Sequence, residues 1–595
     1  MASHTYMDGF GSLVDGMNGG LAPEFLSATQ YVRGVNVTNR KGVIRTRETY
    51  SPVPFSDPAA GQGSWQGAYR YRLNAQEYVI WVMSGHIWTL ELNTMTLRNV
   101  TAETGIGVID QTARCHFVKA EKYCIIQDGT NKAIIFDHTT ARLAVPPEVP
   151  TGTIMAYGHN RLFVVPKMVG DEDGRRFFVA GDICNPNKVE SLLSFTETDY
   201  WAGGGAFSLP TELGFIKGMV LQRNASSGNG YGPLIVFSRN GVSAFAVNLP
   251  RVRITDPTTH EILSLGWQDQ DISQVLFMDA GTASPFGVLT QNSDVLFRGA
   301  DGLRSIALTI SEGSSTLRNL SMSGEVKELF ENDTEAQLFH ATQGFADNRL
   351  YMTVLPVGDN GWKGLACLDF APVDNVKQRS PPAYDGVVTG AIFLMEFTAQ
   401  YGGRDRHFAF VQRDGKTELV VQDDAATTDP YGGIVEARLY TRRMSFYDSG
   451  GRPVPTVRKR LTQARLWFTD MEGDCTVDVY CRADGFPWWT KLGETATFQA
   501  PVSAGGKPQQ RLAVNFGPNA PSCDPVGSMD GYTGYGFQIA VLWTGKLAIS
   551  RCSVSAEGLP DEAATPCTAT ENVELLAATA ENVYDLEATD FEYRW

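Results

Sequence analysis

Few residues in this 595-residue chain are spaced for chemistry. Gly170-Asp171-Glu172-Asp173-Gly174 gathers three carboxylates as a calcium loop would. No Glu follows at the twelfth loop position that an EF-hand needs, so the segment reads as a solvated hairpin tip. Ser528-Met529-Asp530-Gly531-Tyr532-Thr533 is a distant echo of the Ser-x-Asp-x-Gly-x-Thr-Trp repeat of sialidases, but its spacing is wrong and it occurs once. The eight histidines contain no i, i+4 pair, and Walker, H-E-x-x-H and G-x-S-x-G motifs are absent. The nine cysteines form no C-x-x-C pair and read as reduced thiols that pack as small apolar groups. Trp488-Trp489 offers a flat stack for a sugar, although such pairs more often fill a core or an interface. Carboxylates far apart in sequence can still meet across a fold. Short of that, the residue types point to no enzyme, no metal and no cofactor.

Charge is more informative. The net charge is −16 and the pI about 5.1. An acidic surface lacks the basic footprint of a nucleic-acid binder, yet suits a wall past which DNA slides. Two segments depart from the mean. Between Glu436 and Leu466, eight basic residues face two acidic ones. Arg438, Arg442, Arg443, Arg452, Arg458, Lys459 and Arg460 are the candidate intersubunit surface; a solvated strand face is the plainer alternative. The stretch 559–595 has nine acidic residues against Arg594 alone, and it repeats Glu-Asn-Val at 571 and 581. Its aromatics are unlike a disordered acidic tail. Glu571, Glu574, Glu581, Asp585 and Trp595 mark a segment expected to dock on the basic block, in cis or in trans, by adding a strand to a sheet edge.

The elements that position these residues are short strands with glycine turns. Hairpins are expected at Gly85, Asp128-Gly129, Asn240-Gly241, Asp301-Gly302 and Asp414-Gly415, because Asn-Gly and Asp-Gly supply positive φ. Asn160-Arg161-Leu162-Phe163 and Asn348-Arg349-Leu350-Tyr351 recur in one frame, which marks equivalent positions in a repeated unit. Units of about 35–50 residues, each a small antiparallel sheet, are the pattern of a β-propeller. Candidate blades fall at 65–100, 106–146, 152–200, 213–250, 262–310, 338–371 and 387–423, with six to eight blades open. After Asp429-Pro430-Tyr431-Gly432-Gly433 the repeat ends but alternation persists. The expected class is therefore mainly β: an arm and opening strands over 1–60, a propeller-like domain over 61–430, a β-sandwich over 431–558 and an acidic extension over 559–595. Gly203-Gly204-Gly205, Gly228 and Gly230 are candidates for a moving gate, since glycine tolerates large φ/ψ changes.

The opening also carries a resemblance. Gly19-Gly20-Leu21, Pro23, Gln30, Gly34-Val35-Asn36, Arg40, Gly42-Val43-Ile44 and Arg45-Thr46-Arg47 resemble the start of podoviral tail nozzle proteins, the tail tubular protein B family. Asn160–Phe163 with Ser194–Glu197, and Ile434–Thr441, are similar to later family segments. The acidic tail has no counterpart there. The resemblance implies a structural virion protein in a six-fold ring below the head-to-tail adaptor, in contact with fibre, spike or tip proteins. It also implies a gated channel for double-stranded DNA. A receptor-binding or glycan-degrading tail propeller is the alternative. MASHTYMDGFGSL lacks the regions of a secretory signal, and no apolar run approaches the ~18 residues of a membrane span. Assembly in a host cytoplasm is the expectation.

Overall fold

The computed structural model describes residues 5–559 except 41, 168–175, 197–205, 224–229, 248–251, 256–257, 260–261, 267–272, 279, 292, 301, 308–320, 331–332, 355–363, 371–381, 387–391, 424–427, 430–432, 485–487, 501–511 and 519–530; beyond 559 it describes 583, 584 and 586. No helix among them is long and apolar enough to cross a membrane.

Seven small antiparallel sheets form a β-propeller. Their innermost strands are Trp65–Leu73, His116–Ala120, Gly152–Gly158, Ile216–Arg223, Val288–Gln291, Gln343–Ala346 and Ile392–Tyr401. Each touches the next, and the last touches the first, so the ring closes. Apolar clusters fill the gaps between blades: Trp81 and Phe408 between blades seven and one, Ile80 and Phe117 between one and two, Phe237 and Phe297 between four and five. Two of the expected turns follow the glycine-turn chemistry, whereas neither Asn240 nor Gly241 takes positive φ. Ser84-Gly85 and Asp414-Gly415 both have positive φ, as the right-handed twist of a two-residue hairpin requires. Asp128 instead holds a longer loop, its carboxylate accepting from the amides of Thr130 (2.8 Å) and Asn131 (2.7 Å).

The Asn-Arg-Leu copies occupy matching places, the turn from inner to second strand in blades three and six. His159-Asn160 and Asp347-Asn348 both take positive φ. Arg161 and Arg349 are both 1% exposed, and Leu162 and Leu350 are fully buried.

Two details depart from the sequence reading. The chain leaves blade four after Phe245, makes the hairpin Val252–Thr255 with Ile262–Gly266, and returns as Ser273–Met278 to complete that blade. The candidate blade 262–310 therefore straddles two blades. The inserted hairpin has the same strand-turn-strand texture as a blade, so alternation alone does not separate them. In addition, Thr49–Val53, read as part of an opening arm, is the outer strand of blade seven, pairing with Leu419–Asp423. Pro52 fits there because an edge strand has no partner for a further N–H.

Apart from the short pair Thr428–Asp429 with Gly433–Ile434, the remaining strands make one 13-stranded sheet built on Lys459–Ala483 and Phe537–Gly558, antiparallel from Lys459↔Gly558 to Ala483↔Phe537. Strands this long bend at bulges, here between Thr469 and Thr476 among other places. The N-terminal segment is woven in: Thr5–Phe10 and Val43–Thr46 pair with Phe537–Gly558, and Gln30–Val35 with Glu436–Thr441. One apolar cluster runs from this sheet (Leu466, Val479, Trp543) into blades five and six (Leu303, Leu350, Leu368). Gly19 N donates to Glu325 O (2.8 Å), and Arg33 pairs with Glu328 (3.2 Å). Arg40 reaches Asp347 (2.6 Å) and Asp369 (3.3 Å), while Arg47 pairs with Asp429 where both are nearly fully buried. A Cβ on Gly20 would lie 2.8 Å from Gly324 O, so glycine permits the close approach of the two parts.

Candidate functional site

The inner strand of each blade has no further strand beside it on the axial side, so its residues line the propeller axis. There they enclose a cavity of about 840 Å³ lined by all seven blades. Arg70, Lys119 and Arg223 line this cavity together with Glu121 and Glu396.

Glu396 interrupts the apolar inner strand of blade seven and is 2% exposed. Thr342 Oγ1 donates to its Oε2 (2.5 Å), while Oε1 has no partner. Burial pushes its carboxyl up to about 8, and the Thr342 hydrogen bond opposes this only in part, so it is largely protonated at neutral pH. Glu121, at the rim, accepts from Tyr157 Oη (2.7 Å). His116 and His407 are buried and held neutral, each pushed down to about 3 by burial with a nearby arginine adding to the effect. His407 Nδ1 meets Tyr50 Oη (3.1 Å), and its ring stacks on Tyr351. His116 and Glu121 belong to blade two, and Glu396 and His407 to blade seven. Among the described residues no group of three or more His, Cys, Asp or Glu is placed to hold a metal ion.

The basic block is not one exposed surface. Arg438 is buried beside Glu436 (2.9 Å), and Arg442 is buried against Asp8 (2.6 Å). Arg443 pairs with Asp484. Lys459 is fully buried, its ammonium donating to the carbonyls of Val454 (2.6 Å), Val457 (2.8 Å) and Tyr535 (2.9 Å). Burial lowers it to about 8. These four hold the long-strand sheet together, because alternation turns half of any strand's charges inward and each needs a partner there. Arg452 is exposed, and Arg458 and Arg460 are half-buried.

Glu571, Glu574, Glu581, Asp585 and Trp595 lie outside the described residues, as do Gly203, Gly204, Gly205 and Gly228. Gly230 is exposed in the hairpin entering Tyr231–Ser238, with φ +76°. Within the acidic extension, Val583–Tyr584 adds an edge strand antiparallel to Trp489–Lys491, and Leu586 is buried beside Tyr440, Tyr480 and Trp489. Trp489 is 1% exposed and is core rather than a sugar platform. A lone Glu in an apolar strand was the available signal for Glu396; charge counting overlooked it.

No protein-family model matches the chain, and no curated protein matches it. Among solved structures it is similar to BBS1N in complex with ARL6DN in two crystals. The mercury-soaked one is 8% identical, covers 65% of this chain and 99% of that one, and has a TM-score of 0.32. The lead-soaked one is 8% identical, covers 64% and 99%, and has a TM-score of 0.34.

Proposed function

We propose that this chain is a structural subunit of a short phage tail, forming with copies of itself the nozzle below the head-to-tail adaptor. In this reading, DNA travels between subunits around the ring axis, and no propeller axis carries it. The observation that carries the reading is where the resembling residues sit. Gly19, Gly20, Arg40 and Arg47 build a packed joint between propeller and long-strand sheet. A rigid two-part body is what a tube wall requires. Hexamer order, gating, attachment of fibre or tip proteins and residence in the virion belong to the same proposal.

Negative-stain images of the purified chain, alone and with an adaptor protein, test it. Closed rings with a continuous axial opening are expected. A trimer with a blind axis, or tight salt-sensitive DNA binding by the isolated chain, would overturn it. The alternative, a receptor-binding or glycan-degrading propeller, draws on the rings of Tyr69, Phe117, Tyr157 and Phe286 along the axis cavity. Hydrolysis of a capsular glycan would favour it.

A further inference from the structure

The axial cavity is charged on one side only. The inner strands His116–Ala120, Gly152–Gly158 and Ile216–Arg223 end on the same face of the propeller. Tyr157 Oη, at the end of one, donates to Glu121 just past the end of the strand before it (2.7 Å). His159 Nε2 lies 2.8 Å from Gly232 O, in the hairpin that follows Arg223. Lys119, half-buried, and Arg223, exposed, therefore line the cavity mouth beside Tyr157 and Tyr231. Arg223 and Tyr231 face each other across the blade-four hairpin. Blade one adds Arg70, which shares the single carboxylate of Glu77 (2.8 Å) with Arg72 (3.0 Å).

The opposite wall, from blades five to seven, is uncharged. It contains Leu289, Phe345 and Met395, and its one titratable group, Glu396, is largely protonated. Three cations thus meet one ionised carboxylate, Glu121, in a chain whose net charge is −16. Neither Lys119 nor Arg223 pairs with a carboxylate among the described residues, and Lys119 Nζ is open to solvent. A recess of one sign between low-dielectric walls focuses its field and concentrates counter-ions. The cations come from blades one, two and four, so a single acid group does not satisfy them.

We propose that the mouth of the axial cavity binds a small organic polyanion, with its acid groups on Lys119 and Arg223 and its body against the rings of Tyr157 and Tyr231. The cavity volume of about 840 Å³ falls within the roughly 300–1,000 Å³ of sites that hold such molecules. The inference stands whether or not the chain forms a nozzle.

Benzene-1,3,5-tricarboxylate is the probe, titrated calorimetrically into the full chain. Benzoate is its monoanionic counterpart and benzene-1,3,5-trimethanol its neutral one. Saturable binding of the tricarboxylate is expected, at least about tenfold tighter than benzoate and weakened by salt, with no heat from the trimethanol. Lys119→Glu and Arg223→Glu should each weaken it by about tenfold or more. Glu121→Gln removes the opposing charge and should tighten it by about threefold. Both cations lack a protein partner, so these variants keep the fold, which melting curves check. The trimethanol or benzoate binding as tightly as the tricarboxylate overturns the proposal. So does unchanged affinity in the folded Lys119→Glu/Arg223→Glu double variant, weaker binding by Glu121→Gln, or no heat at about 10 mM tricarboxylate.

Discussion

The propeller and the long-strand sheet are both antiparallel β-structure, yet they are held together differently. Six of the seven blades are local: each sheet is formed within one run of chain. The long-strand sheet is non-local, since Thr5 lies opposite Glu557 and Arg45 opposite Ala548. Between blades the core is mainly apolar, with Trp81, Phe163 and Phe237 fully buried, although Arg161, Arg349 and Glu396 are buried there too. The sheet and its joint bury charge across segments far apart in the chain: Arg47–Asp429, Arg442–Asp8, and Lys459 among carbonyls. Apolar packing tolerates adjustment, whereas a buried ion needs its partner in place. The repeat therefore supplies a frame, and the charged contacts fix how the ends of the chain attach to it.

The sharpest way to break the contrast is at Asp429. Asp429→Ala leaves Arg47 buried and uncompensated and should cost about 3–5 kcal/mol, read as a large loss in denaturant midpoint. Replacing both partners with apolar residues should recover most of it. Within the frame, Leu162→Ala and Leu350→Ala occupy equivalent turns and should cost similar amounts, each about 2–5 kcal/mol. A difference much larger than the spread of such substitutions would show that blades three and six are not interchangeable.

A smaller effect is pH-dependent. Glu396 has its carboxyl raised from 4.5 to about 8 in the folded chain. The folded state thus holds a proton that the unfolded chain releases. Its favourable contribution is complete below about pH 4.5, declines as pH rises and is lost by about pH 8. Glu396→Gln should flatten that decline, so its melting temperature should gain on the parent between those limits, and a constant offset would refute the assignment. The smallest global effect is expected at the tail. Leu586→Asp should free Val583–Tyr584 and speed amide exchange in Trp489–Lys491, while the melting temperature hardly moves.

Much of the frame was legible because turn chemistry and alternation are local properties. Asp414-Gly415 and the Asn-Arg-Leu copies announce their turns within a few residues. Thr49–Val53 does not, because its partner lies some hundreds of residues away and nothing near Pro52 names it. The basic block shows a different limit. Charge counted along Glu436–Leu466 is real, but the pleat sends Arg438 and Lys459 inward, and only the pairing register decides which charges meet water.

The closing strand has a consequence for the order of synthesis. Thr49–Val53 leaves the ribosome early, but the strand it pairs with, Lys416–Asp423, emerges last of all the propeller strands. At about 5–20 residues per second, the first strand waits on the order of 20–70 s for its partner. Through that interval blade seven is unmade and the open ring presents unpaired strand edges, which are sites of cross-pairing between nascent chains. Neighbouring ribosomes on one message carry the same unpaired strands, so cross-pairing between nascent chains is a hazard that the finished fold does not show.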